Sequence, residues 1–201
     1  MTPDSTQPSG TTSDGVPLPY RIACLCDLRD AQGRVLLLHR IKPPNSDLFS
    51  PIGGKLDMEH GESPTANARR EIQEEAGIDV PIERLHLAGL ISEAAFEGRG
   101  HWLIFYYRVL GPVEVVAREM REGRLEWYTP DEVDRLPLPE TDRRIIWPLV
   151  RSHDDPRVNE VWDPSRPPEL HARPGFFAVH IECRGPEGRE LQWRLEQEWR
   201  R

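Results

Sequence analysis

Two apolar runs, Tyr20–Leu28 and Arg34–Arg40, flank Arg29-Asp30-Ala31-Gln32-Gly33, a spacing that predicts a β-hairpin with a short glycine-bearing turn. Pro43, Pro44 and Asn45 then mark a loop, and Leu48–Ile52 reads as a short extended piece running into Gly53-Gly54-Lys55. The next segment changes period. Ser63 suits an N-cap and Pro64 the first helical position, where its missing N–H costs nothing. The helix so opened runs to Ala76, with Gly77 placed for a left-handed stop. Leu85–Ser92 and His101–Leu110 read as strands around a Phe96–Gly100 turn, and Arg124–Tyr128 as a short strand. Asp131–Arg135 and Asp142–Arg151 read as short helices. Ser152–Pro174, with five prolines, reads as a long wrapped strap. Phe176–Cys183 and Arg189–Glu196 flank Gly185-Pro186-Glu187-Gly188 as a terminal hairpin. Strands and helices interleave without regular βαβ spacing, which predicts a mixed α/β or α+β domain.

Composition narrows the chemistry. Lys and Arg total 26 against 34 Asp and Glu, a net charge of −8 that argues against a partner as extended and anionic as a nucleic-acid polymer. A nucleotide substrate stays open, because a local metal ion can neutralise phosphate charge. No apolar run approaches the ~20 residues of a membrane helix. Cys24, Cys26 and Cys183 lack paired metal-ligand spacing and read as buried small hydrophobes. Met1–Val16 is rich in Ser, Thr, Pro, Gly and Asp and has no Lys or Arg. The expectation there is a disordered tail over residues 1–17 and a cytoplasmic address, followed by a folded domain over 18–151 and a strap-plus-hairpin over 152–201 packed on it.

The chemically informative stretch is Glu62 to Ile78. At about 100° per residue, Glu71, Glu74 and Glu75 share one helix face within two turns. Taken alone, that pattern also describes a solvated face with Arg70 and Glu74 as an i,i+4 pair. Carboxylates gathered on a rigid element suit Mg²⁺ or Mn²⁺, which take hard oxygen ligands. Gly53-Gly54 can bring backbone carbonyls close to such an ion, or form a plain tight turn.

The run Glu62-x7-Arg70-Glu71-Ile72-x-Glu74-Glu75-x-Gly77-Ile78 resembles the Nudix box, Gly-x5-Glu-x7-Arg-Glu-U-x-Glu-Glu-x-Gly-U, with U aliphatic. Every position from Glu62 onward agrees. Gly54 and Glu62 are separated by seven residues instead of five, and Leu56 occupies the glycine position of the strict motif. The resemblance implies a mixed β-sheet sandwiched between helices, here with an extra C-terminal hairpin. It implies hydrolysis of a nucleoside diphosphate linkage with Mg²⁺ or Mn²⁺. It carries Glu71, Glu74 and Glu75 over as metal ligands beside a carbonyl of Gly53 or Gly54, Arg70 as the residue orienting the glutamates, and Glu62 as a support. The general base is Glu75 or a downstream acid, for which Glu122 is preferred over Glu119 because it lies nearer Trp127. Arg40 and Lys55 are candidate phosphate contacts, and each also reads as a surface charge.

After the box, chain order resembles the branch that hydrolyses oxidised purine nucleoside triphosphates such as 8-oxo-dGTP. The similarity lies in Glu122 to Trp127 leading into Tyr128–Val133, in Leu138–Asp142 ahead of Trp147-Pro148-Leu149, and in the terminal hairpin. Leu138 stands where that branch has a stacking Trp, so Phe49 or Trp127 is expected to stack on the base and Glu140 to read its edge. The implied reaction releases a monophosphate and pyrophosphate. ADP-ribose, nucleotide sugars and dinucleoside polyphosphates are the alternative substrates, and either a monomer or a homodimer is compatible. A catalytically silent binding module is disfavoured because all three box carboxylates are present. An isomerase of the isopentenyl diphosphate type is disfavoured for want of a downstream cysteine and a histidine cluster.

Overall fold

A computed structural model describes residues 17–42, 45–184 and 190–200. The tail expected over 1–17 lies outside them up to residue 16, as does the hairpin turn at Gly185–Gly188. Among the described residues, nine strands form two sheets. The first holds β1 (Tyr20–Asp27), β5 (Gly100–Val109), β4 (Leu85–Phe96), β8 (Phe176–Arg184) and β9 (Glu190–Trp199), in that order. β1 runs parallel to β5 and β8 parallel to β4, while β4/β5 and β8/β9 are antiparallel. The second sheet is antiparallel, with β3 (Phe49–Ser50), β2 (Val35–Arg40), β7 (Gly123–Tyr128) and β6 (Arg118–Met120) side by side. Among the described residues, no helix is long and apolar enough to cross a membrane.

The expected hairpin of Tyr20–Leu28 with Arg34–Arg40 does not form. The turn is real, with the Asp30 carboxylate accepting from Gln32 N–H and Arg34 N–H. Only the Arg29–Val35 bridge and a Leu36 N–H bond to Leu28 O link the two runs. Beyond the turn they diverge into different sheets. β1 is apolar on both faces, the pattern of a strand covered on both sides and suited to parallel pairing, and its partner lies some eighty residues downstream. The other edge of β1 is sealed by Ile52–Leu56, where Cys24 N–H donates to Gly54 O and Cys26 N–H to Ile52 O. That seal carries Gly53 and Gly54 to the C-terminal part of the sheet's first strand.

Helix α1 (Pro64–Glu71) opens as its sequence requires, with Ser63 Oγ accepting from Ala66 N–H at 3.2 Å. It continues into a π-helical turn, Ile72–Ala76, and stops at Gly77 with φ +75°. Its apolar side, Ala68, Ile72 and Ala76, packs on Cys24, Cys26 and Tyr107. On the opposite face, α3 (Trp147–His153) and the π turn before it (Asp142–Ile146) bury Ile145, Ile146, Trp147 and Val150 against Ile91, Tyr106 and Phe177. The sheets are therefore held between helices, as expected, and the short helix α2 (Pro130–Val133) follows β7 behind a Thr129/Glu132 capping box. All three cysteines are buried and free, and burial pushes the Cys24 thiol up to about 12.

Candidate functional site

A cavity of about 470 Å³ opens where α1, the Gly53-Gly54 segment, β4, β5 and the loop before α3 meet. Glu71, Glu74 and Glu75 line it together, so the face expected of the carboxylate helix is the one that meets the cavity. The π turn re-phases that face: Glu71 and Glu75 are buried while Glu74 stays more than half exposed. Burial raises the Glu71 carboxyl, partly offset by Arg70. Burial pushes Glu75 up to about 7, against the Gly53 N–H that donates to its Oε2 at 2.9 Å and with the aid of Glu71 and Glu122. Arg70 lies outside the cavity lining and acts as a brace. Its Nε and Nη2 form a two-point pair with Glu62 at 2.9 and 3.0 Å, and its Nη1 reaches Glu71 at 2.8 Å and Glu74 at 3.3 Å. Glu62 therefore supports the box from behind, its Oε2 also accepting from Asp57 N–H and Asn67 Nδ2. The two residues added ahead of Glu62 are absorbed in this Asp57-capped loop, where Asp57 also accepts from Glu59 N–H and meets the ring of His60.

The donor set fits a divalent cation. Three carboxylates from one helix meet a glycine whose missing side chain leaves room for them: a Cβ on Gly54 would clash with both carboxylate oxygens of Glu71. The Gly54 carbonyl is already taken by Cys24 N–H, which favours the Gly53 carbonyl as the backbone ligand. Among the described residues no three acidic, His or Cys side chains are yet gathered as a closed cage. Glu71 and Glu74 are turned toward Arg70, and Glu75 toward Gly53 N–H. Gly54→Ala is expected to lower kcat/KM about 10–100-fold by displacing Glu71, with a smaller loss of melting temperature than Gly53→Ala. At Gly53, φ is +150° and a Cβ would run into the Cys24 carbonyl. Steady-state kinetics and thermal melts of both variants check this.

Arg40, Lys55 and Glu122 line the same cavity, with Arg40 3.5 Å from Glu122 and Lys55 Nζ 5.9 Å from the centre of the Trp102 ring. Trp102, Phe96, Ile104 and Pro139 add apolar walls, and Glu93, Thr141 and Asp142 bring further polar groups. Glu93 is 4% exposed and stands opposite Trp102 in the β4/β5 register. Burial pushes Glu93 up to about 7, despite a hydrogen bond from Thr141. Burial, reinforced by Glu93, pushes Asp142 up to about 8.

Three expected base contacts are not brought to this cavity. Phe49 is buried in the core, stacked on His39 at 4.4 Å and edge-on to Tyr128. Trp127 packs in the α1-side core and donates its indole N–H to Val115 O. Glu140 is exposed and paired with Arg143 and Arg144, one helical turn along. The helix geometry explains the last case, since two residues of rotation turn Asp142 inward when Glu140 faces water. Trp102 supplies an aromatic wall of the cavity. Glu93 went unread, although it shares inward parity with buried Ile91 in a strand otherwise apolar on that side. His101 accepts from Ala95 N–H beside the β4 bulge.

The NUDIX domain family model matches residues 19–147, more than half of the chain. The uncharacterized Nudix hydrolase YvcI of Bacillus subtilis is 29% identical over 116 residues, 56% of this chain and 69% of YvcI. The crystal structure of a MutT protein from Bacillus halodurans matches with a TM-score of 0.61 at 26% identity, covering 88% of this chain and 97% of that one. The NUDIX domain of Shewanella oneidensis NrtR, solved with ADP ribose, has a TM-score of 0.54 at 18% identity, covering 74% and 93% of the two chains. At that identity the likeness is one of fold.

Proposed function

Because the chain belongs to the NUDIX domain family and is a hydrolase of pyrophosphate bonds, we propose that its substrate is a purine nucleoside triphosphate, oxidised or not, cleaved to monophosphate and pyrophosphate with Mg²⁺ or Mn²⁺. The observation that carries this reading is the mixed lining of one cavity. Glu71, Glu74, Glu75 and Glu122 with Arg40 and Lys55 form a set suited to a cation and a phosphate chain. The aromatic and apolar walls of Trp102, Phe96 and Ile104 in the same cavity suit a base. The likeness to a MutT protein supports the same assignment.

Glu71, Glu74 and Glu75, with the Gly53 carbonyl, would hold the metal ion. When bound, such an ion neutralises phosphate charge and lowers the pKa of an adjacent water. Arg70 keeps Glu71 and Glu74 oriented through its Nη1 while its other nitrogens are locked on Glu62. Arg40 and Lys55 bind phosphate oxygens and offset their charge. Glu75 Oε2 is engaged by Gly53 N–H, which would leave Oε1 as the oxygen offered to the ion. Glu122 holds Arg40 across the mouth.

A panel of ATP, GTP, 8-oxo-dGTP, ADP-ribose, a dinucleoside polyphosphate and a nucleotide sugar, assayed with Mg²⁺ and with Mn²⁺, tests this reading. Turnover of a purine triphosphate to monophosphate and pyrophosphate, at a higher kcat/KM than ADP-ribose, is expected. Selective cleavage of ADP-ribose would transfer the assignment to that substrate class.

A further inference from the structure

We propose that Arg118 is a positioning residue of the metal site: its guanidinium ties the backbone of Glu75 to the hairpin that carries Glu122, and so fixes the two carboxylates against each other at the cavity. The inference rests on the metal site and reaction proposed above and adds to them a residue outside the cavity lining. A helix end leaves its last carbonyls without partners in the helix, and the π turn Ile72–Ala76 ends the carboxylate helix. The carbonyl of Glu75 is one of these, and it accepts from Arg118 Nη2 at 2.8 Å. A cation there also meets the negative end of the helix dipole. The guanidinium lies directly against the helix stop, since a Cβ on Gly77 would come within 3.1 Å of Arg118 Nη1 and 3.3 Å of Nη2. Gly77 thus leaves room for the arginine as well as ending the helix.

Arg118 opens β6, a three-residue strand at the edge of the second sheet. Its ladder with β7 pairs Arg118 with Leu125, Glu119 with Arg124 and Met120 with Gly123, which leaves Arg121 and Glu122 at the reversal. So short a ladder at a sheet edge does not by itself fix where its turn lies. One further anchor is Ile41 N–H, just past β2, which donates to Glu122 O. The other is Arg118, which makes the one hydrogen bond between this hairpin and the carboxylate helix among the described residues. Glu75 is therefore held twice, at its side chain by Gly53 N–H and at its backbone by Arg118. Glu122 lines the same cavity and lies near enough to help raise the Glu75 carboxyl. Outer partners of this kind, which orient metal ligands without touching the ion, typically contribute about 10–100-fold in affinity or activity.

The test compares Arg118→Ala and Arg118→Lys with the unsubstituted protein in kcat, nucleotide KM, half-saturating Mg²⁺ and, by electron paramagnetic resonance, Mn²⁺ binding. Arg118→Ala should lower kcat about 10–100-fold and raise half-saturating Mg²⁺ and the Kd for Mn²⁺ about tenfold. Nucleotide KM at saturating Mg²⁺ should stay within about threefold, since Arg118 lies outside the cavity lining. Arg118 is exposed, so the melting temperature should fall by less than about 4 °C. Arg118→Lys keeps the cation without the fork, and should weaken Mn²⁺ binding only about threefold. Unchanged half-saturating Mg²⁺ and Mn²⁺ affinity in Arg118→Ala would overturn the proposal whatever happens to kcat, and so would a loss confined to nucleotide KM. Should Arg118→Ala fail to fold, Arg118→Lys decides, and unchanged Mn²⁺ affinity there overturns the proposal. Should no triphosphate be turned over at all, the triphosphate reading fails, and Mn²⁺ binding to the protein alone decides separately, with the same weakening of about tenfold expected in Arg118→Ala.

Discussion

Glu74→Gln lowers kcat for the preferred triphosphate about 10²–10⁴-fold and leaves the melting temperature within about 2 °C. The two halves of this expectation have separate causes. Glu74 is 58% exposed and, among the described residues, its ion pair is with Arg70 at 3.3 Å, so the fold loses one weak, solvent-screened pair. The substitution also relieves like-charge crowding with Glu71 on the same face. The loss is chemical: a carboxylate with two strong acceptor oxygens becomes an amide, and one ligand of the cation is weakened where phosphate charge must be neutralised. An unchanged kcat, measured by pyrophosphate release with Mg²⁺ saturating, would remove Glu74 from the metal site.

The largest effect on stability is expected far from that chemistry, at Asp27→Ala. Asp27 is fully buried at the end of β1 between two buried guanidiniums. Arg29 pairs with it through Nε and Nη2, at 3.2 and 3.0 Å, and Arg108 Nε lies 3.8 Å away. Arg29 also reaches Asp154, which ties the strap after α3 back to the sheet. Asn159 of the same strap donates to Asp30 O. Truncating Asp27 leaves two cations in the interior with one fewer anion, at a cost of about 3–5 kcal/mol, or a fall in melting temperature of about 6–20 °C. Burial would raise the Asp27 carboxyl, but Arg29 and Arg108 more than offset this and hold it below its ordinary value. Its contribution is therefore present above pH ~4, the unfolded-state value, and is lost as pH falls through the lower folded value. Melts of the two proteins should differ most near neutral pH and converge in strong acid. A constant gap across pH would mean that the loss is one of packing.

What could be read from the sequence follows from how local the encoding is. The helix from Ser63 to Gly77 announces itself through a cap, a proline, a periodic face and a glycine stop, all within fifteen residues, and its carboxylates meet the cavity as expected. Its π turn left no local mark. The Asp30 turn was equally local, yet it says only that the chain reverses, not that the flanking strands pair; β1 finds its parallel partner in β5 through long-range burial. The apolar part of the cavity lining was least legible, because it joins one strand pair, β4 and β5, to a turn far downstream. Glu93 is a single acid in an apolar strand, Trp102 resembles any core aromatic, and Asp142 is distinguished from exposed Glu140 only by helical phase. Phe49 and Trp127 have the residue types a base would want, but their rings are consumed by the two cores.

The claim beneath all of this is that Glu71, Glu74 and Glu75 together capture a divalent ion against a phosphate chain. Mn²⁺ binding, followed by electron paramagnetic resonance in the presence of a non-hydrolysable nucleoside triphosphate, addresses it without relying on turnover. Saturable binding by the unsubstituted protein, beyond that of the nucleotide alone and weakened tenfold or more in Glu74→Gln, is the predicted result. Equal Mn²⁺ affinity in the two proteins, or none above the nucleotide's own in either, would contradict it.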